Sequence, residues 1–255
     1  ISYPGFYTAA GMINSHPALK AASPQAPISD WFIGDDFHHN GAFYLAHAFR
    51  FLSGFGQALE EPTRMSPRPF DYKTPDGYEF YLNLGPLANA EKKYFKGKIK
   101  FWKELMEHGT YDKFWQDRDI LPHLSNVKTA VMTVGGWFDA EDLYGPLKIY
   151  QSVEEKNPSA FNILVMGPWA HGGWSRGDGD HLGNVHFRSK TSEFYRNHIE
   201  GPFLKHLLNG GENPKLPEAY VFETGTHQWR RYEAWPPKEV QDRALYFHAN
   251  GKLSF

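Results

Sequence analysis

The chain has 255 residues, enough for one large domain or two small ones around a sizeable core. Apolar residues are 41% and charged residues 22%, which excludes a disordered or fibrous chain. The 27 Lys and Arg against 29 Asp and Glu leave a net charge of −2, without the basic footprint of a nucleic-acid binder. The absence of cysteine excludes disulfides, thiolate metal sites and a cysteine nucleophile, and no apolar run reaches the ~18 residues of a membrane span. Aromatic residues are abundant at 16%, which favours a protein with an apolar cleft.

Residues 6–15, FYTAAGMINS, predict a buried helix weakened by Gly11. Leu19 to Ala26 predicts a brief buried strand, hemmed in by Pro24 and Pro27. From Asp35 to Leu59 the residues Phe43, Ala46, Phe49, Phe51 and Leu52 recur at helical spacing, loosened at Gly54-Phe55-Gly56. Residues 61–90 are rich in Pro, Gly and Asp and predict loop. Glu91 to His108 predicts one amphipathic helix stopped by Gly109, and Tyr111 to Asp117 a helical turn.

The period then switches. Lys128 to Val134, KTAVMTV, and Phe161 to Met166, FNILVM, are β-rich runs, each closed by glycine. Between them Ala140 to Val153 predicts a helix in which Pro146 fits only the first turn. A Gly-rich loop spans 169–184, and Ser192 to Leu208 predicts another helix. Alternating strands and helices argue for a parallel sheet with crossover helices, an α/β fold. After Pro217, Ala219–Glu223, Gln228–Tyr232 and Arg243–His248 read as short strands that open an all-β unit. The chain begins at Ile1 and opens on an apolar run, so it is expected to be an internal piece of a longer polypeptide.

Three residues stand where strands give way to loops, the place where open α/β sheets bind ligands. Ser2 precedes the first helix, Asp139 follows the strand ending at Val134, and His171 follows the strand ending at Met166. Their order, Ser, Asp, His, is that of α/β-hydrolases. A serine needs a base within hydrogen-bond reach, a histidine can take and return the proton, and a buried carboxylate fixes the imidazole tautomer. Each also has a plainer reading: Ser2 and Asp139 as helix caps, and His171 as one structural histidine among 13. The general elbow is G-x-S-x-G, whereas here Pro4 stands at +2 and Gly5 at +3.

The stretches ISYPGFYTAAGM, SPQAPISDWFIGDDFHHNGAF, VGGWFDAEDLYGP and VMGPWAHGG together resemble the α-amino acid ester hydrolase group. That group lies in the cocaine-esterase and X-Pro dipeptidyl-peptidase branch of α/β-hydrolases, and its members are often labelled glutaryl-7-ACA acylases. The branch's elbow is G-x-S-Y-x-G, which Ser2, Tyr3 and Gly5 match. FETGTHQWRRYEAWP resembles the start of its C-terminal jelly roll. The resemblance implies an α/β-hydrolase core over 1–34 and 126–216, a mainly helical cap over 35–125, and the start of a β jelly roll over 217–255. It implies Ser2 as nucleophile, Asp139 as orienting acid, His171 as base and the Tyr3 N–H as an oxyanion donor. The family's second donor, a tyrosine hydroxyl, falls upstream of Ile1. Asp36, Glu141 and Asp142 match three acids that bind the substrate's α-ammonium group, with Asp35 as an alternative partner. On residue type alone, Asp36 reads as a helix cap and Glu141-Asp142 as first-turn residues matched to a helix dipole.

The expected activity is transfer or hydrolysis of an α-amino acyl group from an ester or amide, amino-β-lactams included, through an acyl-enzyme. Within the branch the alternatives are an X-Pro dipeptidyl peptidase, a general esterase or a glutaryl-cephalosporin acylase; outside enzymes, a β-rich binding module. The expected partner is a small α-amino ester or amide, with no nucleic acid, no membrane and the oligomeric state open. The resemblance alone favours a periplasmic or secreted setting, with the cytoplasm as the alternative. No cofactor or catalytic metal is expected. His38 and His39 are adjacent and cannot easily share one ion, and in DGDHLG from Asp178 a leucine, Leu182, holds a position where a calcium loop needs a ligand. His181 and His186 lie in a Gly-rich loop without helical spacing. Trp137, Phe138, Trp169 and Trp174 flank the triad loops, either lining an acyl pocket or filling the core.

Overall fold

The computed structural model describes residues 1–56, 61–63 and 69–255; the end of the expected helix at 57–59 and residues 64–68 of the expected loop lie outside them. Five strands form the central sheet, in chain order β1 (Ala21–Ala22), β2 (Ala130–Gly136), β3 (Asn162–Gly167), β4 (Ala219–Glu223) and β5 (Gln228–Tyr232). The first four run parallel and β5 turns back antiparallel at the edge. The predicted runs at 128–134 and 161–166 become the two central strands, in register from Val131 opposite Asn162 to Gly136 opposite Gly167. Their unbroken apolar character follows from burial on both faces.

Alternate residues feed opposite layers. Met132, Val134, Ile163 and Val165 pack under Tyr195, Ile199 and Phe203, from the continuous helical run that ends in α6 (Gly201–Asn209). Val131 points the other way, onto Ala9 of α1 (Tyr3–Gly11) and Met12 just after it, and onto Ile149 and Val153 of α5 (Tyr144–Lys156). Pro146 lies in the first turn of α5, where its missing N–H costs nothing. The strand expected over 19–26 is reduced to Ala21–Ala22 plus a bridge from Gln25 to Val134, as Pro24 and Pro27 cannot donate ladder bonds.

The all-β unit expected from 217 is corrected. Ala219–Glu223 and Gln228–Tyr232 extend the core sheet, because Ala219 and Val221 bury against Leu164 and Met166. Only Tyr246–His248 and Lys252–Ser254 pair separately, as an exposed hairpin.

The described residues between 31 and 115 share a second hydrophobic core, built largely of rings: Phe37, Phe49, Phe80, Phe95, Trp102 and Trp115. Here three sequence expectations change. The helix expected from Asp35 begins only at Leu45, as α2 (Leu45–Phe55), because Asn40-Gly41 takes positive φ (51° and 79°) and turns a two-residue hairpin that pairs His38–His39 with Ala42–Phe43. The loop expected over 61–90 contains α3 (Gly77–Leu84), capped by Asp76, whose carboxylate accepts the N–H groups of Tyr78 and Glu79. The helix expected over 91–108 breaks at Lys96 and Gly97, both at positive φ, before α4 (Lys100–Glu107). Among the described residues no helix is long and apolar enough to cross a membrane.

Candidate active site

Ser2 sits in a tight turn between the sheet and α1. Its N–H donates to the Gln25 carbonyl (3.0 Å) and it bridges Pro27 in parallel fashion. Its backbone, φ 66° and ψ −137°, is a conformation that non-glycine residues rarely adopt. Its hydroxyl makes no capping bond to α1, so the helix-cap reading of this serine fails. Gly5 lets α1 approach this closely, since a Cβ there would lie 2.5 Å from the Gln25 carbonyl oxygen.

Asp139 and His171 emerge from the carboxyl ends of neighbouring strands, β2 and β3. The two loops touch at Gly136, where a Cβ would meet the Trp169 carbonyl oxygen at 2.2 Å, and the Phe138 N–H donates to that same oxygen (3.0 Å). His171 Nδ1 lies 2.7 Å from Asp139 Oδ2. Asp139 Oδ1 accepts the N–H groups of Glu141 (2.9 Å) and Asp142 (3.0 Å). Asp139 therefore caps its own turn with one oxygen and holds the histidine with the other; it does not cap α5, which starts only at Tyr144. Burial depresses the basicity of His171, but the hydrogen bond and charge of Asp139, with Glu141 and Asp36 behind it, outweigh burial and leave its pKa raised. The elbow and the histidine loop meet where Ile1 faces Gly172; a Cβ on that glycine would lie 3.8 Å from Ile1. No hydrogen bond joins Ser2 to His171 in this state; bonds of this kind commonly tighten only when substrate is bound.

The three predicted acids converge beside this pair. The Asp36 N–H donates to the Glu141 carbonyl (3.1 Å) and to Asp142 Oδ1 (3.2 Å), and Asp36 itself takes positive φ (50°). Asp142 is fully buried and its Oδ2 has no hydrogen-bond partner. Burial pushes its carboxyl well above the usual range, and the charges of Asp36, Asp35, Asp139 and Glu141 push the same way. The helix-cap readings of these acids fail, because α5 starts only at Tyr144 and α2 only at Leu45, whose capping position is Tyr44. Asp35 is a different case. Its oxygens accept four bonds, from Ser29 N–H (2.7 Å), Ser29 Oγ (2.8 Å), Asp30 N–H (3.2 Å) and Gly145 N–H (2.8 Å). Burial still pushes its carboxyl up to about 7. It ties the 29–35 loop to α5, with both of its oxygens engaged by the protein.

His47, on α2, is part of this pocket and was missed in the sequence. Its Nε2 lies 3.4 Å from Asp36 Oδ1 and its Nδ1 3.7 Å from Glu141 Oε1. Arg50, one turn on, reaches Glu141 Oε1 at 3.8 Å. A lone histidine on an apolar helix face reads as core, and only the folded cap carries it to the acids.

A cavity of about 690 Å³ opens beside the elbow, lined by Tyr3, Phe6, Tyr7, Trp31, Phe51 and Phe101 among others, with Asp36 at its wall. Its rings come from α1 and from the second core, Trp31 included. Of the four aromatics expected to flank an acyl pocket, Trp169 and Trp174 are core, Trp137 is tied by its indole N–H to the Phe222 carbonyl (3.1 Å), and Phe138 is about half exposed. Elsewhere, His181 and His186 face each other across a small hairpin with Asp180 alongside, donor atoms within 4.8 Å, a set able to hold a metal ion at the surface. Hairpin pairing, not helical spacing, brings them together.

Residues 1–173 match the model of the X-Pro dipeptidyl-peptidase (S15) family. Among solved structures, an aminopeptidase from a marine sediment archaeon (Thaumarchaeota) superposes with TM-score 0.88 and 35% identity, over 100% of this chain and 41% of that one. An α-amino acid ester hydrolase labelled with selenomethionine superposes with TM-score 0.88 and 31% identity, over 99% of this chain and 42% of that one. No curated protein matches. The chain thus spans about two fifths of the length of the solved structures it resembles, and its fold is that of an α/β-hydrolase.

Proposed function

The chain belongs to the X-Pro dipeptidyl-peptidase (S15) family, and from that premise we propose that it carries the catalytic residues of a serine hydrolase acting on α-amino acyl esters and amides, amino-β-lactams among them. The observation that carries this reading is the 2.7 Å pair of His171 and Asp139 at the ends of adjacent parallel strands, set against a pocket of acids in which Asp142 Oδ2 has no hydrogen-bond partner. In the proposed cycle Ser2 Oγ attacks the acyl carbonyl while His171 Nε2 takes its proton. Asp139 holds the opposite nitrogen, keeping the tautomer correct and stabilising the imidazolium. The developing oxyanion is received by the Tyr3 N–H, a first-turn donor of α1 with no partner within the helix. His171 returns the proton to the departing alcohol or amine, and water deacylates the serine by the same steps in reverse.

The substrate's ammonium is held by Asp36, Glu141 and Asp142. Crowded carboxylates in a partly dry pocket repel one another, and a cation relieves that repulsion. Fixing the amino group in this way places the acyl carbon relative to Ser2. A glutaryl side chain, being anionic, would be repelled at the same place. The likeness to an aminopeptidase favours a second substrate of the same chemistry, the N-terminal residue of a peptide, whose free ammonium meets the same acids.

The test is kcat/KM of the full-length enzyme for D-phenylglycine methyl ester against phenylacetic acid methyl ester, which differ by one amino group. A strong preference for the amino ester that collapses in Asp36→Asn or Glu141→Gln supports the reading. Equal rates would make the enzyme a general esterase, and no rate on either would leave the binding-module alternative.

A further inference from the structure

Ser2 and His171 share no hydrogen bond in this state, so the alignment of nucleophile and base depends on how their two loops are held. Gln25 touches both. Its backbone carbonyl accepts the Ser2 N–H at 3.0 Å, in the turn that carries the nucleophile. Its side chain enters the layer of Tyr195 and Trp174, on the face of the sheet opposite α1. There Gln25 Oε1 accepts the indole N–H of Trp174 at 2.8 Å. Trp174 is fully buried and follows His171 on the same loop, in HGGW.

The Gln25 amide fits only one way round. An indole N–H can donate but not accept, so the amide oxygen must face Trp174. The amide nitrogen faces Glu200 Oε1 (2.8 Å), Tyr195 OH (3.1 Å) and Ser23 Oγ (3.1 Å). Turned over, the amide would set its NH₂ against the indole N–H and its oxygen against the Glu200 carboxylate. Its neighbours are themselves fixed. Tyr195 OH donates to Glu200 Oε1 (3.0 Å), and Ser23 Oγ donates to the Met132 carbonyl of β2 (2.9 Å). The main chain is anchored to the same strand, since Gln25 bridges Val134 and the Ala26 N–H donates to the Val134 carbonyl (2.7 Å).

Resting on the triad reading above, we propose that Gln25 is a positioning residue for the reaction. It is a brace with its main chain on the nucleophile turn and its side chain on the histidine loop, and it sets the spacing of Ser2 Oγ and the imidazole. Asp139 orients the ring; Gln25 sets where the ring's loop stands. A misplacement of about 1 Å can cost about 10²-fold in rate. Loss of the brace should therefore appear in kcat. Recognition of the ammonium should be spared, because Asp36, Glu141 and Asp142 lie on other segments.

The experiment is a double-mutant cycle in the full-length enzyme, with Trp174→Phe, Gln25→Met and the two combined. Reactive Ser2 is counted with a serine-directed phosphonate, so that kcat refers to competent sites alone. For D-phenylglycine methyl ester, kcat per labelled serine is expected to fall about tenfold in Trp174→Phe and about 10–100-fold in Gln25→Met. The rate of phosphonylation should fall in parallel. The combined variant should be no worse than Gln25→Met, because the two residues act through one contact. The affinity for phenylglycinol, which has the ammonium and no scissile bond, should stay unchanged. A merely structural role would lower the melting temperature and the count of reactive serines and leave kcat per serine as it was. An unchanged kcat per serine in either single variant, losses that multiply in the combined variant, or phenylglycinol binding weakened as much as kcat overturns the proposal. If Gln25→Met does not fold, Trp174→Phe decides, since it removes one N–H and leaves the other bonds of the Gln25 amide in place. A wild-type enzyme in which the phosphonate fails to label Ser2 would instead overturn the triad reading itself.

Discussion

Asp139 and Asp142 stand three residues apart on one loop and are almost equally buried, yet the two corners they serve are built on opposite principles. At the triad corner both Asp139 oxygens are engaged, by two backbone N–H groups and by His171. At the pocket, Asp142 has one oxygen bonded to the Asp36 N–H and one without a hydrogen bond, 3.9 Å from His171 Nδ1. Satisfied polar groups are fixed in place, and they suit a part whose geometry must not change during turnover. Unsatisfied ones are held at a cost that a cationic ligand can relieve. The difference separates groups that position from groups that wait.

The largest expected effects lie at the triad corner. Ser2→Ala and Asp139→Asn should each lower kcat by about 10⁴-fold or more, on amino and deamino esters alike, in steady-state assays. Next come the pocket variants. Glu141→Gln should cut kcat/KM for the amino ester by about 10–100-fold through KM and leave the deamino ester nearly unchanged; an equal loss on both would erase the distinction between the two corners.

The pH profile sharpens the same comparison. His171 acts only when neutral, and its proton affinity is raised, so activity on a neutral ester should fall about tenfold per unit at low pH, with a midpoint above the ordinary imidazole value of about 6.5. A midpoint at or below that value would show that burial, not Asp139, dominates. The smallest effects are on stability and have opposite signs. Asp35→Asn should destabilise by about 1–3 kcal/mol, since an amide would face N–H donors. Asp142→Asn should stabilise by about 1 kcal/mol at neutral pH while impairing turnover of amino substrates, as functional strain is removed. For Asp35 the sign with pH follows from its raised carboxyl: the folded state holds the proton more tightly, so this residue's contribution weakens as pH rises from about 4 toward 7. Thermal denaturation of both variants against pH checks each sign.

Legibility in the sequence divided along similar lines. Strands β2 and β3 were plain because a strand buried on both faces must be apolar throughout, and the residues that follow such strands could be placed by rule. The cap was misread where one dipeptide or one backbone angle outweighed periodicity. Asn40-Gly41 turned a hairpin inside a helical-looking stretch, and Lys96-Gly97 divided a helix whose apolar spacing was continuous. The strands at Ala219–Glu223 and Gln228–Tyr232 were recognised but assigned to the wrong sheet, since pairing partners are not written in a strand's own pattern. The three acids were found by resemblance, and their plainer reading as caps failed only once the helix starts were known. His47 carried no signal, because its meaning depends on acids that are distant in sequence or on another element.

Segment 25–27 has a consequence of its own. It is pressed between two glycines: Gly5 of α1 on one side, and on the other Gly145 of α5, where a Cβ would lie 1.8 Å from the Pro27 carbonyl oxygen. The nucleophile's helix and the helix behind the acidic loop are therefore spaced by the thickness of one bare backbone. Side chains lining the pocket can be exchanged without altering that gauge. In the proposed enzyme that gauge would keep the reaction distance fixed while the pocket's lining changes, and the positions that set it are two residues with no side chain at all.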